Sequence, residues 1–233
     1  VASTLGGSTI SGPTPAFTER YYLVDDRIAP KVQVEWGQRY PEGLFCPNKI
    51  SGCVMTAMGQ ILTVVKAPAS IQLTYDERDI DTQVLNWDEI CKHKHSLNTY
   101  IQHSINTHLT NCEAGEDAHQ AIGRLCRELG NRCSASYNRS STGASSSFAR
   151  GIMAELLPNH EVTSYKRLYD NDNDYKYFFE ELRNGVAHIR GTNDEDDSGH
   201  AWVVDGGKIT GSKLVRTYTQ EHNIITGEPL VEV

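Results

Sequence analysis

The chain has 233 residues, 38% of them hydrophobic and 22% charged, with 22 Lys and Arg against 30 Asp and Glu for a formal charge of −8. That length holds one large domain or two small ones, and the ordinary composition excludes collagen-like and fully disordered classes. No apolar run approaches the roughly 20 residues of a membrane span, and with a net negative charge and no run of Lys and Arg longer than two, nucleic acid is not the expected partner.

Residues 1–30 are rich in Ser, Thr, Gly and Pro, as in Gly6-Gly7-Ser8 and Gly12-Pro13-Thr14-Pro15, which predicts an extended arm or pro-segment remnant ahead of a domain over 31–233. The start at Val1, without an initiator Met or a charged-then-apolar leader, reads as a processed or trimmed product. From Gly52 the pattern turns helical: Val54, Ala57, Met58, Ile61, Leu62 and Val65 recur at i, i+3, i+4, i+7, i+8 and i+11, and Pro68 stops the run. Further helices are expected over 97–109 and 116–129. In the second of these, Ala118, Ala121, Ile122, Leu125, Cys126 and Leu129 form one stripe and make Cys126 a core thiol. The small polar loop 138–147 opens a helix near 148–157, and another helix is expected near 175–183. Short β-branched segments follow at 186–190, 200–206, 213–219 and 230–233. Helices first and antiparallel strands afterwards describe an α+β fold.

Six cysteines, namely Cys46, Cys53, Cys91, Cys112, Cys126 and Cys133, are enough for three disulfides. If one must stay a free thiol for chemistry, another is left unpaired. Cys53 stands at the head of the clearest helix, where the helix dipole and unpaired N–H groups favour an anion and a thiolate. Its side chain falls off the apolar stripe, beside Thr56 and Gln60. A thiolate nucleophile needs an imidazole that is near it in space, to take and return a proton. Of nine histidines, His200 fits best, since it opens an apolar strand straight after Gly199 and the acidic loop 194–197. His93, His95, His103, His108 and His119 are read as solvated helix or loop surface, His188 as a satisfied core residue in a strand, and His222 as part of a hairpin. An acyl-transfer site also needs oxyanion donors. The Cys53 N–H and the amide of Gln38, in Trp36-Gly37-Gln38, are the candidates.

Trp36-Gly37-Gln38, Cys46-Pro47, the run Gly52 to Ile61 and Gly199-His200-Ala201-Trp202-Val203-Val204-Asp205-Gly206 together resemble the streptopain family of papain-like cysteine proteases, in order over about 32–206. The resemblance implies a papain-like α+β fold, with a helical half carrying the nucleophile and an antiparallel β half carrying the histidine. Carried over residue by residue, it implies Cys53 as nucleophile, His200 as general base and acid, and Gln38 as oxyanion donor. It also implies a substrate-binding segment at Ser145 and Ser146 in the Ser-rich loop, with Gly199 beside the histidine. The implied function is a secreted, periplasmic or cell-surface bacterial endopeptidase made as a zymogen. It would act on protein or peptide substrates, prefer an apolar side chain just before the cleaved residue, meet a propeptide or proteinaceous inhibitor, and use no cofactor. The family's Asn-Trp-Gly-Trp-type segment, which orients the imidazole, has no match between Ala201 and Val233. The expectation is therefore a domain lacking its C-terminal strands. A Cys/His amidase or peptidoglycan hydrolase, and a catalytically silent papain-like binding domain, remain as alternative readings.

Metal signals are weak. Asp170, Asp172, Asp174 and Glu181 fall at EF-hand spacing, but Tyr175 stands where the loop needs Gly. Cys91-Lys92-His93-Lys94-His95 lacks a second ligand pair at zinc spacing. Asn138-Arg139-Ser140 is a glycosylation sequon only in a eukaryotic secretory setting.

Overall fold

The computed structural model describes residues 17–75, 80–94, 114–163, 172–192 and 199–218. The chain divides into two compact units, one of residues 28–207 and one of residues 1–27 with 208–233. In the smaller unit the strand β1, Phe17–Ile28, pairs with β8, Gly207–Tyr218, and Lys208 lies 3.8 Å from the Asp25 carboxylate.

The larger unit is built round helix α1, Cys53–Val65. Its stripe buries Val54, Ala57, Met58 and Leu62, with Met55 also fully enclosed. Lys66, in the left-handed region at φ 51°, closes the helix by donating its N–H to Leu62 O at 2.8 Å. A four-residue helix α2, Trp87–Ile90, is capped by Asn86. Helix α3, Glu116–Arg132, carries Glu116 and Asp117 in its first turn and Arg132 in its last, the order its macrodipole favours. Ile122, Leu125, Cys126 and Leu129 face α1 and are wholly buried. Truncating such a residue to Ala costs about 2–5 kcal/mol. Glu128 is buried on α3 as well. Its carboxylate accepts the Thr74 N–H and hydroxyl at 2.7 and 2.9 Å and Arg132 Nε at 2.7 Å, so the charge is paired.

Helices α4, Ala149–Leu156, and α5, Asp172–Asn184, complete the helical set among the described residues. Because α5 begins at Asp172, Asp174 and Glu181 share a helix rather than a calcium loop. Three small antiparallel pairs join them: β2, Ser70–Gln72, with β3, Thr82–Val84; β4, Ser136–Tyr137, with β5, Thr142–Gly143; and β6, Ala187–Thr192, with β7, Gly199–Val204. β7 packs on α1, and Ala201 joins the core. The architecture is α+β, with two hairpins placed between helices ahead of the larger β6–β7 pair. Those two hairpins are only two or three residues long per strand, too short to leave an alternating pattern.

Two histidines expected at the solvated surface are buried instead. His93 and His119 are 2% and 1% exposed. His119 stands three residues before Ile122 and seven before Cys126, so it shares their helix face. Its ring packs 5.6 Å from Tyr40 and 5.1 Å from His93. His93 follows α2, accepts the Trp36 indole N–H on its carbonyl at 3.0 Å, and lies 3.7 Å from the buried Glu42 carboxylate. The expected helix 97–109, the strand 230–233, and His95, His103, His108 and His222 lie outside the described residues. Cys46, Cys53, Cys91, Cys126 and Cys133 are all free thiols, and Cys126 is buried in the core as its stripe position predicts.

Candidate active site

The site is built outward from the residue before α1. Gly52 adopts φ 92° and ψ 151°, a region that side chains rarely enter. A Cβ there would meet Met55 Cε at 2.6 Å, the Thr142 carbonyl oxygen at 3.0 Å and Thr142 Cγ2 at 3.1 Å. Glycine therefore lets the chain turn sharply into the helix while β5 lies against the turn. Cys53 follows as the first helical residue, half-buried, with no acidic side chain in the first turn to oppose a negative charge. The surrounding N–H groups and the helix dipole suit an anion at this place.

Trp36-Gly37-Gln38 is fastened to the same helix end. Ser51 donates its N–H to the Gln38 carbonyl at 2.8 Å, and Thr56 donates its hydroxyl to the Gly37 carbonyl at 2.9 Å. The Ser51 and Thr56 hydroxyls lie 3.0 Å apart and link the two clamps. Above them the Trp36 ring covers Gly59, where an added Cβ would meet Cζ3 at 2.9 Å. Gln60 donates to the Val34 carbonyl at 3.2 Å. Gln38, half-buried, is thus held at the turn that carries Cys53. Ser51 and Thr56 were not singled out in the sequence. Small hydroxyl residues two before and three after a helix-opening Cys were the available signal.

The Ser-rich loop reaches this place by a second set of bonds. Asn48 Nδ2 donates to the carbonyls of Asn138 and Ser141 at 2.7 and 3.0 Å, and Thr142 donates its hydroxyl to the Ile50 carbonyl at 2.7 Å. The chain then turns toward α4. The Ser145 and Ser147 hydroxyls are 2.7 Å apart, and the Ser145 and Ser146 carbonyls accept the N–H groups of Phe148 and Ala149 at 3.3 and 3.2 Å. Ser145 is exposed and Ser146 half-buried.

His200 lies on β7, opposite Gly191 of β6, and Gly199 opens the strand opposite Thr192. Alternation along the strand sends Ala201 into the core at 4% exposure and leaves His200 and Trp202 on the open face. Their rings stack, with centroids 6.0 Å apart and planes 24° from parallel. No hydrogen bond joins Cys53 to His200 among the described residues. Just past the strand, Asp205 accepts the backbone N–H groups of Lys31 and Val32 on a single oxygen, both at 2.7 Å. Lys31 Nζ donates to the carbonyls of Leu182 and Gly185 at 2.5 and 2.7 Å, capping α5. A groove of about 430 Å³ runs between this segment and β7, lined by Val34, Trp36, Gln60 and Trp202 among others.

Among the described residues the thiols other than Cys53 are poor nucleophiles. Burial raises Cys46 to about 11, with Arg127 opposing it, and raises Cys133 to about 11. Burial also pushes Cys126 well above the usual thiol value and raises Cys91. Among the described residues no three His, Cys, Asp or Glu side chains gather as metal ligands, and no helix is long and apolar enough to cross a membrane.

A model of the Peptidase C10 family matches residues 36–224. Among solved structures, that of the active wild-type interpain A cysteine protease of Prevotella intermedia is similar, with a TM-score of 0.52 at 18% sequence identity over 78% of this chain and 77% of that one. At that identity the likeness speaks for the fold. No curated protein matches.

Proposed function

The chain belongs to the Peptidase C10 family, the streptopain family of cysteine peptidases, and from that premise we propose that it is a secreted endopeptidase working through Cys53 and His200. The observation that carries this reading is the turn at Gly52, which sets Cys53 at the head of α1 with the Trp36–Gln38 segment bonded to the same turn. In the reaction the Cys53 thiolate adds to the scissile carbonyl carbon. The oxyanion is held by the Cys53 N–H and the Gln38 side-chain amide. His200, as imidazolium, gives its proton to the leaving amine, and the C–N bond breaks to leave a thioester on Cys53. His200 then takes a proton from water, whose oxygen attacks the thioester, and the acid leaves as the Cys53 thiolate and the His200 imidazolium are restored. Ser145, Ser146 and Gly199 line the path of the peptide in this reading. A propeptide or proteinaceous inhibitor would occupy the same path.

A peptide-library cleavage assay with an irreversible epoxide inhibitor tests the proposal. Internal cleavage blocked by the epoxide, lost in Cys53→Ala and in His200→Ala at unchanged melting temperature, is the expected result. The epoxide should modify Cys53 ahead of Cys46, Cys126 and Cys133. Hydrolysis of peptidoglycan amides without peptide cleavage would assign an amidase instead, and binding without turnover a silent domain. Either result overturns the endopeptidase reading.

A further inference from the structure

We infer that Trp202 is a positioning residue for His200, an inference that rests on the proposed role of His200 as general base and acid. The pleat of β7 forces the arrangement, because residues two apart project from one face while Ala201 between them is drawn into the core. An imidazole on an open strand face is free about its second side-chain torsion, which has broad, shallow wells. Here the ring instead lies 6.0 Å from the indole centroid and 24° from parallel with it, within the range where offset aromatic pairs attract. Trp202 remains 40% exposed, a costly placement for an indole that does no more than fill space. It lines the groove together with Val34, Trp36 and Gln60, so the indole stands between that open space and the imidazole. The indole offers a broad plane beside the imidazole, and the imidazole keeps its tilt against that plane while it exchanges protons.

The test compares Trp202→Leu, which keeps apolar bulk without a ring, with Trp202→Phe, which keeps a smaller ring, and with Trp202→Ala. Each is assayed on an internally quenched peptide bearing an apolar residue just before the cleaved one. The Leu and Ala variants should lose about 3- to 10-fold in kcat with KM within about twofold, the size expected of one aromatic pair, and Phe should recover most of the loss. The His200 ring-proton resonances should move when the indole ring current is removed in Leu and Ala, an effect that general loss of packing does not produce. If Ala fails to fold, the Leu and Phe pair carries the comparison. Equal kcat in Leu and wild type, a rise in kcat on truncation, or unmoved imidazole resonances would overturn the inference. His200→Ala run alongside separates the two claims: retained turnover there removes the role proposed for His200, whereas lost turnover there with an unchanged Leu variant removes only the role of Trp202.

Discussion

Replacing Gly52 by alanine should damage this protein far more than the size of a methyl group suggests. The backbone at φ 92° costs a side-chain-bearing residue about 1–3 kcal/mol. The new Cβ would also sit 2.6 Å from Met55 Cε and 3.0 Å from the Thr142 carbonyl oxygen. The methionine end swings away cheaply, but the Thr142 oxygen belongs to the backbone of β5, which the Thr142 bond to Ile50 holds in place. That overpacking adds about 1–3 kcal/mol, and reduced freedom of the unfolded chain returns about 0.5 kcal/mol. The net loss is about 2–5 kcal/mol, a fall in melting temperature on the order of 10 °C for a chain of this size. Gly151 provides the control, since it is exposed in α4 with nothing within 4 Å of an added Cβ. Gly151→Ala should leave the melting temperature unchanged or raise it slightly, by about 0.5 kcal/mol of helix propensity. Differential scanning fluorimetry and peptidase assays at 25 °C, where both variants stay folded, give the comparison. A Gly52→Ala protein melting within 2 °C of the parent, or moving with Gly151→Ala in the same direction and amount, would refute the reasoning.

Gln38→Ala should lower kcat by about 10²-fold with KM little changed, read from initial rates on a quenched peptide, because one oxyanion donor acts on the transition state and not on bound substrate. His119, held down to about 4 by burial and then by the nearby His93, makes the fold acid-sensitive. The unfolded imidazole binds a proton below about 6.5 while the folded one resists until about 4, so up to about 3 kcal/mol of stability should disappear as pH falls through that window and none above it. Urea unfolding at pH 7.5 and pH 4.5 measures the loss, and His119→Phe should flatten it. Asp205→Ala leaves the N–H groups of Lys31 and Val32 without their acceptor and should cost about 2–4 kcal/mol in chemical denaturation, whereas Asp205→Asn, still an acceptor, should cost less than half as much.

The elements with one strong local pattern were legible before the fold was seen. The stripes of α1 and α3 follow from apolar spacing alone, and the β6–β7 hairpin follows from β-branched runs on either side of an acidic loop. Cys126 could be placed in the core because its neighbours at i−4, i−1 and i+3 are apolar. His119 lay on that same stripe, and the general habit of histidine to remain solvated outweighed the periodicity that should have placed it. His93 offered no such clue, because its burial depends on Trp36 and Glu42, about fifty residues away. The β2–β3 and β4–β5 pairs, besides being short, are bonded by distant partners, Arg132 and Arg124 for the first and Asn48 for the second. At the candidate site, residue types and order pointed to Cys53, Gln38 and His200. The hydroxyls of Ser51 and Thr56, which bind the Gly37–Gln38 backbone to the turn that carries Cys53, act by bridging to backbone that only folding brings near.

The pair of hydrogen bonds that Asp205 accepts also bears on register. A strand that slips by one residue turns every side chain to the opposite face, so a slip of β7 would bury the His200 imidazole where Ala201 now sits and send a methyl group to the open side. One carboxylate oxygen, which accepts two successive amides 2.7 Å away, ties the strand end to residues 31 and 32 and resists such a slip. The strand that carries the imidazole is thus tied down five residues beyond it, by an aspartate whose carboxylate is engaged with the backbone.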